Sequence, residues 1–261
     1  MNFIEVGAGI PVLALHGWTP DHRLMLGCLE PVFAARPGYR RLYPDLPGMG
    51  RSTAPPGIDS TDDVLAEVHR FIDAEIGGEP FLLLGESYGG YLARAVTRDR
   101  PDQILGVGLI CPTVVLPRAR RTTPPHQVLR SEPGFGDGAG DRLLAEFEEM
   151  AVVRTAPVLR RFADEIWSGL ELADASAMSR IAERWELSVD PDKGPPFTRP
   201  SLILAGLQDA TVGFADQFGL LPHYPRATFA VLDVAGHNLQ IEQPALFEAL
   251  IDEWLDRVAA G

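Results

Sequence analysis

Short apolar runs bounded by turn residues alternate along this chain with amphipathic stretches, and that alternation limits the folds open to it. Val12-Leu13-Ala14-Leu15, Phe81-Leu82-Leu83-Leu84, residues 104–110 and Ser201-Leu202-Ile203-Leu204-Ala205 are the strong runs. Arg41-Leu42-Tyr43 and residues 228–234 are further ones. Runs this short, apolar at consecutive positions, suit parallel strands covered by helices on both faces. Helical patterns lie between them. Ser60-x-x-Asp63 reads as a capping box ahead of the stripe Val64, Leu65, Val68 and Ile72. Tyr91, Leu92, Ala95 and Val96 form a second stripe, and a last helix starting near Pro244 should bury Phe247, Leu250, Ile251, Trp254 and Val258. The order implies an α/β fold built on a doubly wound, mostly parallel sheet.

One stretch interrupts this order. After a loop rich in Pro, Arg and Gly (residues 117–140), three helical stripes follow in succession. They are Leu143, Leu144, Phe147, Met150 and Ala151; then Val158, Leu159, Phe162 and Ile166; then Met178, Ile181, Ala182 and Trp185. Pro157 suits the first turn of the second helix. The expected division is a core of residues 1–112 and 200–261, with an all-helical insertion at 113–199 between two strands of the sheet.

Composition excludes several function classes. A formal net charge of -13 repels phosphate backbones, so no nucleic-acid partner is expected. Lys193 is the only lysine; nearly all positive charge is arginine. Two cysteines, Cys28 and Cys111, are too few for a disulfide framework and are expected as free thiols. The N-terminus has no basic segment followed by a long apolar one, so it does not read as a signal peptide. The uncharged run 103–117 is too short to span a membrane. A cytoplasmic protein with no membrane partner is the expectation.

Gly85-Glu86-Ser87-Tyr88-Gly89 matches G-x-S-x-G, and it follows an apolar strand and precedes a helical stripe. That context would put Ser87 on a sharp strand-to-helix turn, where backbone N–H groups favour a developing anion. On a loop the same five residues would mean little. His237, in Ala235-Gly236-His237-Asn238, follows the last strand, where a general base is needed. Asp209 follows the strand 201–205 and can orient His237; Asp216 and Asp233 compete for that role but sit less well against a strand end. A lone His is more often structural, and an Asp in a turn is more often a cap. After Val12-Leu13-Ala14-Leu15 comes His16-Gly17-Trp18, a loop able to offer the Trp18 N–H to an oxyanion, with the Tyr88 N–H as second donor. His16 is expected to organise that loop. The six His show no metal-ligand spacing, and neither metal nor organic cofactor is expected.

At these residues the chain resembles the α/β-hydrolase family over nearly its whole length. The resemblance rests on His16-Gly17, Pro44-Asp45-Leu46-Pro47-Gly48-Met49-Gly50-Arg51-Ser52, Gly85-Glu86-Ser87-Tyr88-Gly89, Asp209, and Gly236-His237 followed by Glu242 and Pro244. The order Ser, Asp, His is the family's order. The resemblance implies that Asp45 and the 48–52 loop are structural, that Glu242 helps fix the final helix, and that the insertion is a cap over a pocket. A Ser nucleophile argues against the haloalkane dehalogenase and epoxide hydrolase branches, which need a carboxylate there. His-Gly-Trp, where many lipases have His-Gly-Gly-Gly, points to a cap-bearing small-molecule hydrolase.

The expected activity is therefore hydrolysis of a small-molecule carboxylic ester by a Ser87–His237–Asp209 triad. Trp18, Tyr88, Phe147, Phe162, Trp167, Met178 and Trp185 are candidate pocket residues, each of which could equally be cap core. Three alternatives share the fold. An aminopeptidase similar to proline iminopeptidase would use the acidic cap (Asp141, Glu146, Glu148, Glu149, Asp164, Glu165), though that family usually carries Gly-Gly-Ser-Trp-Gly. A C–C bond hydrolase would use the same triad on a vinylogous diketone. A ligand receptor would leave the triad unused. Oligomeric state is not readable from the sequence.

Overall fold

Strands apolar on both faces need cover on both sides, and the chain provides it. The structure, a computed structural model, describes residues 1–261. The elements of the core begin with β1 (Phe3–Gly7), β2 (Ile10–Leu15), α1 (His22–Phe33), β3 (Tyr39–Pro44) and α2 (Thr61–Glu75). They continue with β4 (Phe81–Glu86), α3 (Ser87–Asp99) and β5 (Ile104–Ile110). These strands and two later ones form a seven-stranded sheet in the order β1-β3-β2-β4-β5-β8-β9, where β8 is Ser201–Gly206 and β9 is Ala227–Leu232. Only β1 runs antiparallel, pairing Phe3 with Pro44 through Gly7 with Arg40. Side chains alternate between two cores: Leu13, Leu15, Phe81 and Leu83 enter one, and Val12, Ala14, Leu82 and Leu84 enter the other.

Between β5 and β8 lie β6 (Arg130–Ser131), α4 (Asp141–Met150), β7 (Val153–Arg154), α5 (Ala156–Phe162), α6 (Ser168–Leu170) and α7 (Ala175–Glu183). The stretch is thus not all helical, because β6 and β7 pair in parallel. The second expected stripe runs through α5 and on into a π-helical turn, Ala163–Trp167, that carries Ile166. After β8 come α8 (Ala215–Phe218), then β9, α9 (Leu239–Glu242) and α10 (Pro244–Ala260).

The capping box forms as expected. Ser60 Oγ accepts the Asp63 N–H at 3.1 Å, and Asp63 Oδ2 takes the Ser60 hydroxyl at 2.6 Å and the Asp59 N–H at 3.1 Å. In α10, Phe247, Ile251, Trp254 and Leu255 are buried, while Leu250 and Val258 are only half-buried at the helix flank. Strand β9 departs from the both-faces pattern: it is a sheet edge, and most of it stays half-exposed. No helix is long and apolar enough to cross a membrane. Cys28 and Cys111 are free and buried.

The strand order places the site. The chain leaves β2 toward β3 and then returns to the opposite side of β2 with β4, so loops diverge at the carboxyl ends of these neighbours. A crevice opens at such a switch point. The loops there are His16-Gly17-Trp18 and the turn into Ser87. At the opposite, amino end of the strands, exposed Lys193 lies in a groove of about 300 Å³ with Arg98, Pro101, Asp102 and Arg199.

Candidate active site

Ser87 is the first residue of α3 and has φ +50°. That left-handed conformation is uncommon for a residue with a side chain, and it turns the strand sharply into the helix. The turn fits because two of its neighbours are glycines. A Cβ on Gly85 would overlap the Gly89 carbonyl, and one on Gly89 would overlap the Leu15 carbonyl of β2. The other non-glycine residues with positive φ are Thr19, Cys111 and Val234. Each follows a core strand at its carboxyl end or the loop beyond it, so the unusual backbone gathers around Ser87. Such residues hold about 1–3 kcal/mol of strain each and persist where surroundings over-determine them.

His237 Nε2 lies 3.0 Å from Ser87 Oγ, and His237 Nδ1 lies 2.9 Å from Asp209 Oδ2. The other Asp209 oxygen accepts the N–H groups of Thr211 (2.8 Å) and Val212 (3.0 Å). Burial alone would raise the Asp209 pKa, but the His237 charge, its hydrogen bond and those N–H groups hold it below the usual carboxylate value. An ionised Asp209 makes Nδ1 the donor, which leaves Nε2 facing the Ser87 hydroxyl. Burial also works against charge on His237, but Asp209 and then Glu86 outweigh it and push its pKa up to about 9.

The two competing carboxylates lie elsewhere. Asp216 Oδ2 accepts the Thr122 N–H, and Asp233 Oδ1 accepts from Gln208 Nε2.

The Trp18 N–H has no acceptor within the chain, and Tyr88 is the second residue of α3, where an N–H has no intrahelical partner. His16 organises the loop that carries Trp18. Its Nε2 accepts the Leu46 N–H at 2.9 Å and its Nδ1 donates to the Gly17 carbonyl at 2.8 Å. That tautomer is neutral, in keeping with a pKa that burial lowers.

Asp45 is fully buried and accepts from Asn2 Nδ2 (2.9 Å), the His22 N–H (3.0 Å), His22 Nδ1 (2.7 Å) and the Arg51 N–H (3.0 Å). Burial opposes its charge, but these donors hold it well below the usual carboxylate range. Asp21, His22 and Asp45 approach one another as metal ligands would, yet the Asp45 carboxylate is already saturated by protein donors.

Glu242 departs from expectation. Rather than fixing the final helix, it sits at the end of α9 and holds two other segments together. Its Oε1 accepts the N–H groups of Val152 (2.7 Å) and Val153 (3.2 Å) at the start of β7, and its Oε2 accepts that of Gly236 (2.6 Å), next to His237.

A cavity of about 90 Å³ adjoins Ser87 and His237. Trp18, Leu24, Phe162, Ile166 and Leu170 form its apolar side; Glu86, Glu146 and Asn238 are polar members. Of the seven pocket candidates, Trp18 and Phe162 line it. Tyr88 instead stacks on Trp185 (4.7 Å, 15°), and both rings stand nearly perpendicular to Trp18 (78° and 84°). Trp185 lines a separate hollow of about 550 Å³ that holds none of Ser87, Asp209 and His237. Phe147 is core, packed on Phe162. Trp167 lies under Arg142, and Met178 packs over Gly48. For Tyr88, Phe147 and Met178, helix phase, invisible in a stripe of residues, points the side chain at core neighbours, whereas Trp185 lies beyond the end of α7 and Trp167 on the half-buried flank beneath Arg142.

Sequence reasoning missed Thr113, whose Oγ1 lies 3.5 Å from Ser87 Oγ, and Met150, which faces His237 from α4; of the acidic cap residues weighed for an aminopeptidase, only Glu146 lines this cavity. A second cavity, of about 380 Å³, shares Glu146, Met150 and His237 with the first and adds Arg118, His126 and Thr211.

The chain belongs to the alpha/beta hydrolase family, whose model matches residues 12–250. Among solved structures it is similar to an alpha/beta superfamily hydrolase from Oenococcus oeni PSU-1 (TM-score 0.92, 29% identity, covering 98% of this chain and 96% of that one). Haloalkane dehalogenase 2 of Mycobacterium bovis is 31% identical over 113 residues, covering 42% of this chain and only 37% of that protein. The 2-hydroxymuconate semialdehyde hydrolase of Pseudomonas sp. (strain CF600) is 23% identical over the whole of this chain and 92% of its own length.

Proposed function

We propose that this protein is a serine hydrolase that cleaves small-molecule carboxylic esters of short acyl chain through an acyl-enzyme. The observation that carries this reading is the contact chain from Ser87 Oγ to His237 (3.0 Å) to Asp209 (2.9 Å), beside a Trp18 N–H that has no acceptor. Ser87 Oγ attacks the ester carbonyl while His237 Nε2 takes its proton. The carbonyl oxygen becomes an oxyanion held by the N–H groups of Trp18 and Tyr88. Removing one such donor typically costs about 10²–10³ in rate. Asp209 fixes the tautomer and supports the imidazolium. His237 then protonates the departing alkoxide and next takes a proton from water, which attacks the acyl-enzyme and releases the acid.

Cavity size supports a short acyl group. The space at Ser87 and Trp18 is about 90 Å³, well below the roughly 150 Å³ that accommodates a benzene ring. The leaving group must meet His237 Nε2, so the second cavity of about 380 Å³, which His237 also lines, suits the alcohol portion. Residues 113–199 act as the cap, supplying Glu146, Met150, Phe162, Ile166 and Leu170 to the walls.

The test is a series of p-nitrophenyl esters of increasing acyl length with wild type and Ser87→Ala. Turnover best for the shortest acyls and absent in the variant is the expected result. A variant that keeps wild-type turnover overturns the reading. Similarity along the full chain to 2-hydroxymuconate semialdehyde hydrolase favours one second reading, C–C bond hydrolysis by the same triad. Silence on all esters with turnover of a vinylogous diketone would select it.

A further inference from the structure

Glu86 immediately precedes Ser87 and is 2% exposed. Its Oε1 lies 3.4 Å from His237 Nε2, the same nitrogen that faces Ser87 Oγ at 3.0 Å. It lines the cavity with Ser87, and Gly17 opposite leaves it room, because a Cβ there would overlap Glu86 Oε2. No arginine or lysine lines that cavity. The carboxyl is therefore a buried acid whose nearest cationic partner is the imidazolium of the proposed base. The ester-cleavage mechanism does not use it.

We propose that Glu86 is a positioning residue that acts through His237: its carboxylate, at ion-pair distance from Nε2, holds the ring as the imidazolium and so governs when His237 can serve as a base. The proposal rests on the triad reading above. With Glu86 ionised, its negative charge beside Nε2 retains the imidazolium, whose Nε2–H is directed at Ser87 Oγ. That form cannot accept the Ser87 proton. As pH rises the Nε2 proton leaves to solvent, and Nε2 is then free to accept from Ser87.

Other groups around the pair are accounted for. Asp209 beyond β8 favours the imidazolium and Arg121 opposes it. Cys111 after β5 lies beside Asp209, and burial raises its thiol well above the ordinary value, so it stays neutral. Glu146 on α4 shares the cavity, and His126 faces His237 across the second one. Glu242 on α9 is directed at Gly236 and at Val152–Val153 rather than at the ring. For Glu86 itself, burial pushes the carboxyl up to about 7, with the His237 charge opposing, Asp209 adding to the rise and the Gly17 N–H opposing it. Its charge thus appears near neutrality, below the pH at which His237 loses its proton. The two titrations belong to a coupled pair.

The experiment compares wild type with Glu86→Gln, which keeps shape and removes charge. An opposite charge at this range shifts a pKa by about 1–3 units. The acid limb of kcat/KM on a short p-nitrophenyl ester should therefore move down by about that amount. The ratio of kcat/KM at pH 7 to the high-pH plateau should rise at least about tenfold. Glu86→Asp, which restores the charge, should return the limb toward its wild-type position. An unmoved limb in Glu86→Gln, with or without a uniform loss of rate, overturns the proposal. Titration of the ¹⁵N-labelled His237 ring by NMR, assigned with His237→Gln, reads the same shift without turnover. A ring pKa equal in wild type and Glu86→Gln overturns the proposal even if the ester reading stands. Should Ser87→Ala keep ester turnover, the triad reading fails, while the ring titration still judges Glu86.

Discussion

Glu242→Gln tests how the residues beside β7 and the His237 loop are held in register. The wild-type carboxylate accepts three backbone N–H groups, from Val152, Val153 and Gly236, at 2.6–3.2 Å and 7% exposure. Glutamine has one acceptor oxygen. If that oxygen stays on Val152 and Val153, the amide NH₂ meets the Gly236 N–H, donor against donor. A buried N–H left unpaired costs about 1–3 kcal/mol, and two charge-assisted bonds weakened to neutral ones lose roughly 1 kcal/mol each. Against this, burial penalises the Glu242 carboxylate enough to raise its pKa, so removing the charge returns part of the loss. The net expectation is about 2 kcal/mol lower stability, read as a lower urea midpoint at unchanged slope. Gly236 precedes His237, so a loop no longer held there should also lower kcat/KM by about tenfold, near 1.4 kcal/mol. A midpoint within about 0.5 kcal/mol of wild type, with activity intact, would show that the three N–H groups do not depend on this carboxylate, and the reasoning would fail.

Asp209→Asn should keep the fold but lower kcat about 10⁴-fold, because an amide no longer fixes Nδ1 as the donor; circular dichroism beside single-ester kinetics checks both. In wild type, kcat/KM should rise with pH until His237 loses its proton near pH 9, since only the neutral ring can accept from Ser87; a plateau already reached at neutral pH would contradict the charge placed on that ring. Asp45→Ala should destabilise the protein by about 3 kcal/mol or more, since it leaves buried donors unpaired. The Asp45 carboxyl is depressed in the folded state, so its contribution is full above the unfolded value of about 4 and declines as pH falls below it. Urea titrations should therefore show the gap between wild type and Asp45→Ala narrowing only in acid.

What the sequence made legible follows from how much each feature depends on distant partners. Strands β2, β4, β5 and β8 stand out because central strands are apolar on both faces, a property of the strand alone. Ser60 and Asp63 announce α2 because a cap is local. Gly85 and Gly89 signal the Ser87 turn because only glycine allows such close backbone approaches, Gly85 to the Gly89 carbonyl and Gly89 to β2. Strand β1 was not legible: an antiparallel edge strand, FIEVG, needs β3 to define it. Helix α1 is also faint in the sequence, although Asp21 caps it and Leu24, Met25, Cys28, Leu29 and Val32 form its buried stripe; Pro31 inside the helix masks the pattern. The pocket walls were least legible. Phe147 and Phe162 lie on neighbouring helices and touch, yet only Phe162 reaches the cavity, a distinction set by helix phase and by the turn Ala163–Trp167. Glu242 was visible as a residue but not as a link, because its partners Val152 and Val153 lie ninety residues away.

The lone lysine gives this chain a built-in handle. Lys193 is exposed in its groove at the amino end of the strands, the length of the sheet's strands away from Ser87 and both cavities at their carboxyl end. Amine-directed chemistry has one side chain to find, so a resin, a fluorophore or a sensor surface coupled there meets the molecule from behind. Every immobilised copy linked through that side chain would then face the solution with its Ser87 crevice unobstructed, in a single orientation that a lysine-rich homologue could not guarantee.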